Sequence, residues 1–275
     1  MLWLQLLAIL PLIALGIVLG RRMAHFPNRW WCVGVAISLA IIGLVILGHR
    51  SPKLLFVPPI SWAVDADIHP LLMAVVIPFL LSTIIPRLAH RRQRIAVGAF
   101  LPIVTIYFAM IPLVLPLAVR SQLAIDSTTF DTHGVCLQSH GYTCGPAAAV
   151  TALHALGISA DEGPLAIDAC TAPGVGTDPW RLQEAINRRS LAEGIRCDFR
   201  RVPSLDSLTT PAIADTHLSF ICGHYIAVLE VTPNTVTIGD PLYGRQNLTR
   251  HEFLARWTGT AHVFTRTSPA VTAQR

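Results

Sequence analysis

Hydrophobic and polar positions divide the chain near residue 120. Before that point, four runs carry no charged side chain: residues 2–20, 30–48, 71–85 and 95–119. Three of them reach the ~20 residues that cross a hydrocarbon core. The third is shorter, and Pro70 and Pro86 extend it to 70–86. The pattern predicts an all-α transmembrane region of four helices over residues 1–120. Pro11, Pro78, Pro102, Pro112 and Pro116 fall inside the runs, which a bundle tolerates because neighbouring helices satisfy the freed carbonyls. Trp30, Trp31 and Trp62 suit an interfacial aromatic belt. Residues 1–20 lack the basic start of a cleaved signal peptide.

Beyond residue 120 the pattern becomes mixed. Residues 121–130 read as a linker, 131–268 as a folded domain and 269–275 as a disordered tail. Residues 135–138 are predicted to be extended. An Ala-rich helix over 143–156 opens on Cys144-Gly145-Pro146 and stops at Gly157; proline in the first turn and glycine after the last are good boundary signals. Further helices are predicted over 161–170 and from Asp178-Pro179 to about 189. Strands are predicted over 196–202, 217–222, 224–231 and 235–240, the last two joined by Thr232-Pro233-Asn234. A short helix near 249–257 and a strand near 261–265 complete the domain. Helices first and antiparallel strands afterwards predict an α+β fold.

Composition sharpens the division. The 275 residues are 52% hydrophobic and 13% charged, against about a quarter charged in soluble proteins. Residues 1–120 hold ten Lys and Arg against two acids, Asp65 and Asp67, whereas the rest hold eleven Arg against fourteen acids. The net charge of +5 therefore belongs to the apolar half. The mildly acidic second half has no basic patch interleaved with aromatics, which excludes nucleic acid as a partner. Arg21, Arg22, Arg29, Arg87, Arg91, Arg92 and Arg94 fall in the first and third loops. Arg50, Lys53 and Arg120 fall in the second loop and after the fourth run. The positive-inside rule then puts the first and third loops in the cytoplasm and the C-terminal domain on the other side. No acid or base inside the runs marks a transport path.

Cys32 lies in the second run; Cys136, Cys144, Cys170, Cys197 and Cys222 lie in the C-terminal domain. Setting Cys144 aside, two readings stay open for the other four: two disulfides, suited to an oxidising compartment, or small buried core thiols. Cys144 stands at a helix N-terminus, where unpaired N–H groups favour a thiolate. His224 opens an apolar strand directly after Gly223, and Asp240 ends the next strand. A hairpin would carry both at one end, with the carboxylate fixing the imidazole tautomer. Gln138, six residues before Cys144, is placed to donate its amide to an oxyanion, with the Cys144 N–H as second donor; such donors contribute about 3 kcal/mol each. Taken singly, these are a core thiol, a strand histidine and a turn aspartate. Together, in the order Gln, Cys, His, Asp, they form a catalytic constellation. A zinc site at Cys222 and His224 lacks the paired cysteine spacing of structural zinc, and no cofactor is implied.

The run Gln138-Ser-His-Gly-Tyr-Thr-Cys144-Gly145-Pro146-Ala147 resembles the active-site segment of peptidase family C39. These are papain-like cysteine peptidases that remove leader peptides from peptide precursors. Gly223-His224-Tyr225, Asp240-Pro241-Leu-Tyr-Gly244, Glu252-Phe253 and Trp257-Thr-Gly259 extend the likeness over about 130–266. The resemblance implies Cys144 as nucleophile, His224 as general base and acid, Asp240 as its orienter and Gln138 as oxyanion donor. Two departures stand out. Thr143 replaces the Asp common before the Cys, and the domain comes last, whereas well-known members place it at the N-terminus of an ATP-driven exporter. A P-loop needs a Lys after its Gly-rich turn, and the only Lys here is Lys53. The expectation is a membrane-anchored endopeptidase working through a thioester. Its partners would be a leader or precursor peptide cut after small residues, the lipid bilayer and a separate secretion or export system. Two alternatives are an extracytoplasmic amidase or transpeptidase with the same triad, and a non-catalytic leader-peptide-binding module.

Overall fold

The computed structural model describes residues 2–51, 54–219 and 222–267; the tail expected over 269–275 lies outside them. The chain forms two units, Met1–Leu115 and Pro116–Arg275.

In the first unit, four helices are long and apolar enough to cross a membrane. α1 (Leu2–Ala24) and α2 (Asn28–Arg50) are 23 residues each, longer than the uncharged runs because flanking Arg and polar residues continue the helix. α3 (Ile60–Val64) is a short helix that the hydrophobic pattern does not predict. It packs on Gly48, where an added Cβ would sit 2.5 Å from Val64 Cγ1. α4 (His69–Ile84) runs on through a 3-10 turn to Arg87. It is the central helix, with 50% of its span buried against 22% for each of the others. The fourth span begins as α5 (Arg91–Thr105), widens into a π turn over Ile106–Met110 and resumes as α6 (Ile111–Ala118). Pro112 accounts for the widening. It has no N–H for the Phe108 carbonyl and its ring crowds that group, and the Ile111 N–H reaches the Ile106 carbonyl instead.

Gly16 and Gly20 bring α1 against α4. Four residues apart, they share one helix face and let backbones approach. A Cβ at Gly16 would lie 2.5 Å from the Val75 carbonyl oxygen, and one at Gly20 would meet the Phe79 carbonyl. Thr83 Oγ1 reaches the Gly20 and Phe79 carbonyls at 3.3 and 2.7 Å. Near the start of α1, Gln5 donates to the Asp67 carboxylate at 3.0 Å.

In the second unit, α7 (Arg120–Leu123) leads to β1 (Thr129–Phe130), which pairs antiparallel with β2 (Cys136–Leu137). The segment 121–130, expected to be a linker, is folded: a Cβ on Gly163 would meet the Leu123 carbonyl. Three helices follow, α8 (Cys144–Ala155), α9 (Glu162–Asp168) and α10 (Pro179–Ser190). Then come β3 (Ile195–Arg201), β4 (Ala212–His217), β5 (Gly223–Val231), β6 (Thr235–Asp240) and β7 (Gly244–Thr249). α11 (Arg250–Arg256) and β8 (Trp257–Arg266) close the fold. β3 to β8 form one antiparallel sheet in the order β3-β8-β4-β5-β6-β7. Leu153, Leu165, Ile186 and Ile213 belong to the core built around the helices α8 to α10, and Ile226, Ile238 and Phe253 to a second core.

The strand expected over 217–222 lies at Ala212–His217 instead. Leu218 and Ser219 turn the chain by donating to the Cys222 carbonyl. β7 escapes the hydrophobic pattern because Arg245, Gln246 and Asn247 are polar. It is an edge strand, where polar residues discourage pairing with other chains.

Candidate active site

Cys144 is the first residue of α8, whose first turn accepts Pro146 because its missing N–H has no helical partner there. Gly157, at φ +80°, ends the helix, and the Ile158 N–H returns to the Leu153 carbonyl at 2.9 Å, a glycine-terminated stop. The Thr143 hydroxyl turns back from the helix, accepting the His140 N–H at 3.1 Å and donating to the His140 carbonyl at 3.0 Å. No side chain caps α8, which leaves its N-terminal end open to developing negative charge. Thr143 thus closes the turn before Cys144 without placing an anion next to it.

β5 supplies His224 and β6 supplies Asp240. The register Ala227↔Gly239 and Val228↔Ile238 aligns the strands, and His224 Nε2 lies 2.9 Å from Asp240 Oδ1. The two residues are 5% and 3% exposed, so water screens the pair little. Asp240 Oδ1 also accepts the Leu242 N–H at 2.9 Å, which fixes the carboxylate. Cys144 is near enough to His224 to act on its charge, and with Nε2 facing Asp240, Nδ1 is the ring nitrogen left for the sulfur. Burial pulls the His224 pKa down, but the hydrogen bond to Asp240 and the pull of Asp240 and Cys144 together outweigh it and raise the pKa to about 9. His224 is therefore an imidazolium at neutral pH.

Gln138 enters this arrangement through its backbone. Its N–H donates to the Pro241 carbonyl at 2.9 Å, tying the segment before Cys144 to the turn after Asp240. Its Nε2 donates to the His140 carbonyl at 2.7 Å. Its Oε1 is buried with no partner among the described residues. The structure thus joins His224 and Asp240 by a side-chain contact and brings Cys144 near enough to act on His224, while the Gln138 amide is held in its own loop.

Several residues that support this loop escape sequence reasoning. Glu162, 1% exposed, accepts the Ser139 N–H at 2.9 Å and the Ser139 hydroxyl at 3.1 Å. Asp126, from the presumed linker, pairs with His140 at 2.8 Å. No periodic pattern relates acids to partners 23 and 14 positions away. Asp215, on β4 opposite Tyr225, is a further, half-buried carboxylate. Burial raises its pKa to about 6, against the opposing pull of His217 and the Thr258 and Thr260 hydroxyls. Its Oδ1 lies 3.7 Å from where a Cβ on Gly223 would sit. Placing the strand at 217–222 hid this residue.

All six cysteines are free thiols. Of the two readings left open, the core-thiol one describes Cys136 and Cys197, both fully buried. Burial, with Glu162 and Asp161 adding to it, pushes the Cys136 pKa up to about 12, and burial and Asp198 likewise push Cys197 up. Neither is chemically poised. Among the described residues no group of three or more His, Cys, Asp or Glu side chains is arranged to hold a metal ion.

The family model for the peptidase C39 family matches residues 132–269. An uncharacterised protein of Methanothermobacter marburgensis is 32% identical over 136 residues, covering 47% of this chain and 86% of its own. One from Methanothermobacter thermautotrophicus is 30% identical over 146 residues, covering 53% and 97%. Among solved structures, the peptidase domain of Streptococcus ComA, a bifunctional ABC transporter involved in quorum sensing, aligns with a TM-score of 0.42 and 22% identity. That alignment covers 48% of this chain and 96% of the other. A double glycine motif protease from an AMS/PCAT transporter, solved with a leader peptide, aligns with a TM-score of 0.41 and 18% identity, covering 52% and 96%.

Proposed function

The chain belongs to the peptidase C39 family, and from that membership we propose that it is a membrane-anchored cysteine endopeptidase using Cys144, His224 and Asp240. The observation that carries this reading is the 2.9 Å contact between Asp240 and the buried His224, with Cys144 near enough to act on the same imidazole. The Cys144 thiolate attacks a peptide carbonyl. The oxyanion is met by the Cys144 N–H and, once substrate displaces its contact with His140, by the Gln138 amide. His224 gives its proton to the leaving amine, and a thioester remains. A water then passes a proton to His224 as it attacks the thioester, which releases the new carboxylate and restores the thiolate. Asp240 holds the imidazole in one orientation throughout.

Family membership favours a leader or precursor peptide as substrate, cut after two small residues. The four long apolar helices anchor the enzyme in a bilayer. The Arg-rich loops 21–29 and 87–94 favour a cytoplasmic position for that end and a peptidase on the other side of the membrane by the positive-inside rule, where it would meet substrate already exported by a separate system.

Comparing terminal peptides from cells that make the intact protein and from cells that make Cys144→Ala tests this reading. The expected result is a set of new N-termini, preceded by small residues, present only with Cys144. If no terminus depends on Cys144, the peptidase reading is wrong. In the same Cys144→Ala cells, exposed Cys222 reports the side: an impermeant maleimide should label it in intact cells, and protection until lysis would reverse the orientation.

A further inference from the structure

In the first unit, charge is separated along the helices. Asp65 and Asp67 are the only acids before residue 120, and Gln5 binds Asp67 near the start of α1. Arg21 lies sixteen residues further along α1, about 24 Å along the axis at ~1.5 Å per residue. At the Arg21 end stand Arg22, Arg87, Arg91, Arg92 and Arg94, with no carboxylate in the sequence there to pair with them. Arg87 is satisfied internally, donating to the Ala24 and Phe26 carbonyls and to Asn28. Arg21, Arg91 and Arg92 are exposed.

A cavity of about 340 Å³ opens at this end. It is lined by Ile17 and Arg21 from α1, Ser82 and Ile85 from the α4 segment, and Gly98 and Leu101 from α5. Its walls are mostly aliphatic, and a guanidinium stands among them. Arg91, Arg94, Gly98 and Leu101 are spaced three, four and three residues apart, so they follow one face of α5. The basic first turn of α5 therefore leads into the groove. Gly98 leaves room there, since a Cβ added to it would meet nothing within 4 Å.

We propose that this groove is a binding site for an anionic phospholipid, whose phosphate lies at Arg21 and Arg91 and whose acyl chain runs over Gly98, Leu101 and Ile17. An unbalanced cluster of arginines above an aliphatic cleft complements a ligand with one charged end and a hydrocarbon body. Basic clefts between membrane helices recognise acidic headgroups on that principle. A free phosphate would meet the arginines but leave the aliphatic walls empty. The inference rests on the membrane placement proposed above and is independent of the peptidase chemistry.

Native mass spectrometry of the delipidated full-length protein tests it. Phosphatidylglycerol and phosphatidylcholine with identical acyl chains are added at equal concentration. The wild type should retain phosphatidylglycerol about fivefold better, the value of one near-surface basic contact. Arg21→Gln should bring the two lipids close together. Gly98→Leu, which fills the cleft without a clash, should reduce retention of both. Gly43→Leu on α2, where a Cβ also meets nothing within 4 Å, should behave as wild type. Inorganic phosphate in millimolar excess should not displace the lipid. Equal retention of the two lipids, or wild-type retention by Gly98→Leu, overturns the site. Carbonate extraction of membranes separates the two readings: a wild-type chain released by carbonate ends the membrane placement, whereas a chain that stays in the pellet without lipid preference ends only the lipid site.

Discussion

Replacing Asp240 by Asn removes a charge and keeps an acceptor for His224 Nε2, so it isolates electrostatics from geometry. In the wild type the His224 pKa stands at about 9, which leaves ~97% of it protonated at pH 7.5. The upward pull comes from Asp240 and Cys144, against burial pulling down. Without the Asp240 charge, a side chain this buried should return to its ordinary 6.5 or below, leaving at most ~10% protonated at pH 7.5. The imidazolium population beside Cys144 then falls about tenfold. The assay is the alkylation rate of Cys144 by iodoacetamide, resolved peptide by peptide in a mass spectrometer, with exposed Cys222 as internal reference. Asp240→Asn should react about tenfold more slowly at Cys144 at pH 7.5, with Cys222 unchanged. At pH 10, where an unaided thiol ionises, the gap should close. A wild-type rate at pH 7.5, or a deficit that persists at pH 10, would refute the ion-pair reasoning.

Three further outcomes follow from the geometry. Gly20→Leu should drive a side chain into the Phe79 carbonyl and cost ~3 kcal/mol or prevent bundle assembly; a thermal shift in detergent against Gly43→Leu measures it, and equal stability would contradict the α1–α4 packing. Thr143→Val removes both hydroxyl hydrogen bonds in the turn before Cys144, leaving the Thr143 N–H to His140 carbonyl bond, and should lower stability by ~1–2 kcal/mol and slow Cys144 alkylation; unchanged values for both would show that the hydroxyl does not hold the turn. The folded-state pKa of His224 is raised, so its stabilising contribution is complete below 6.5 and lost as pH rises through about 9. Burial lowers His262 to about 4, so its penalty begins as pH falls below 6.5, where the unfolded chain takes the proton first. Denaturation midpoints of the full chain should therefore be highest near pH 6.5, falling on the acid side towards 4 and on the alkaline side towards 9. His224→Gln should flatten the alkaline fall and leave the acid one, and an unchanged alkaline limb would remove His224 as its cause.

The long apolar runs and the order Gln, Cys, His, Asp were legible because each is a local signal. Charge-free length reports a membrane helix whatever its neighbours, and the paired ends of β5 and β6 follow from a hairpin only three residues long. The sequence places strand β4 one segment too late because Leu218, Phe220, Ile221 and Cys222 are as apolar as Ala212, Ile213 and Ala214, while residues 220 and 221 lie outside the described residues. Strand β7 was missed because an edge strand need not alternate. Glu162 and Asp126 were invisible for a different reason: each acts on a loop distant in sequence, through a contact that exists only once α9 and the segment 121–130 fold against it. Gln138 was assigned as an oxyanion donor from its position alone. Its amide nitrogen is bonded to the His140 carbonyl, so that role requires the contact to exchange when substrate arrives.

Isotope uptake during turnover tests the proposed chemistry most directly. Purified full-length protein is incubated in H2¹⁸O with peptides that carry two adjacent small residues, and both products are weighed. Hydrolysis through a thioester should place ¹⁸O in the new C-terminal carboxylate, at a rate abolished in Cys144→Ala and reduced about tenfold in Asp240→Asn at pH 7.5. Cleavage that persists in Cys144→Ala, or products joined to an added amine with no ¹⁸O taken up, would contradict the account.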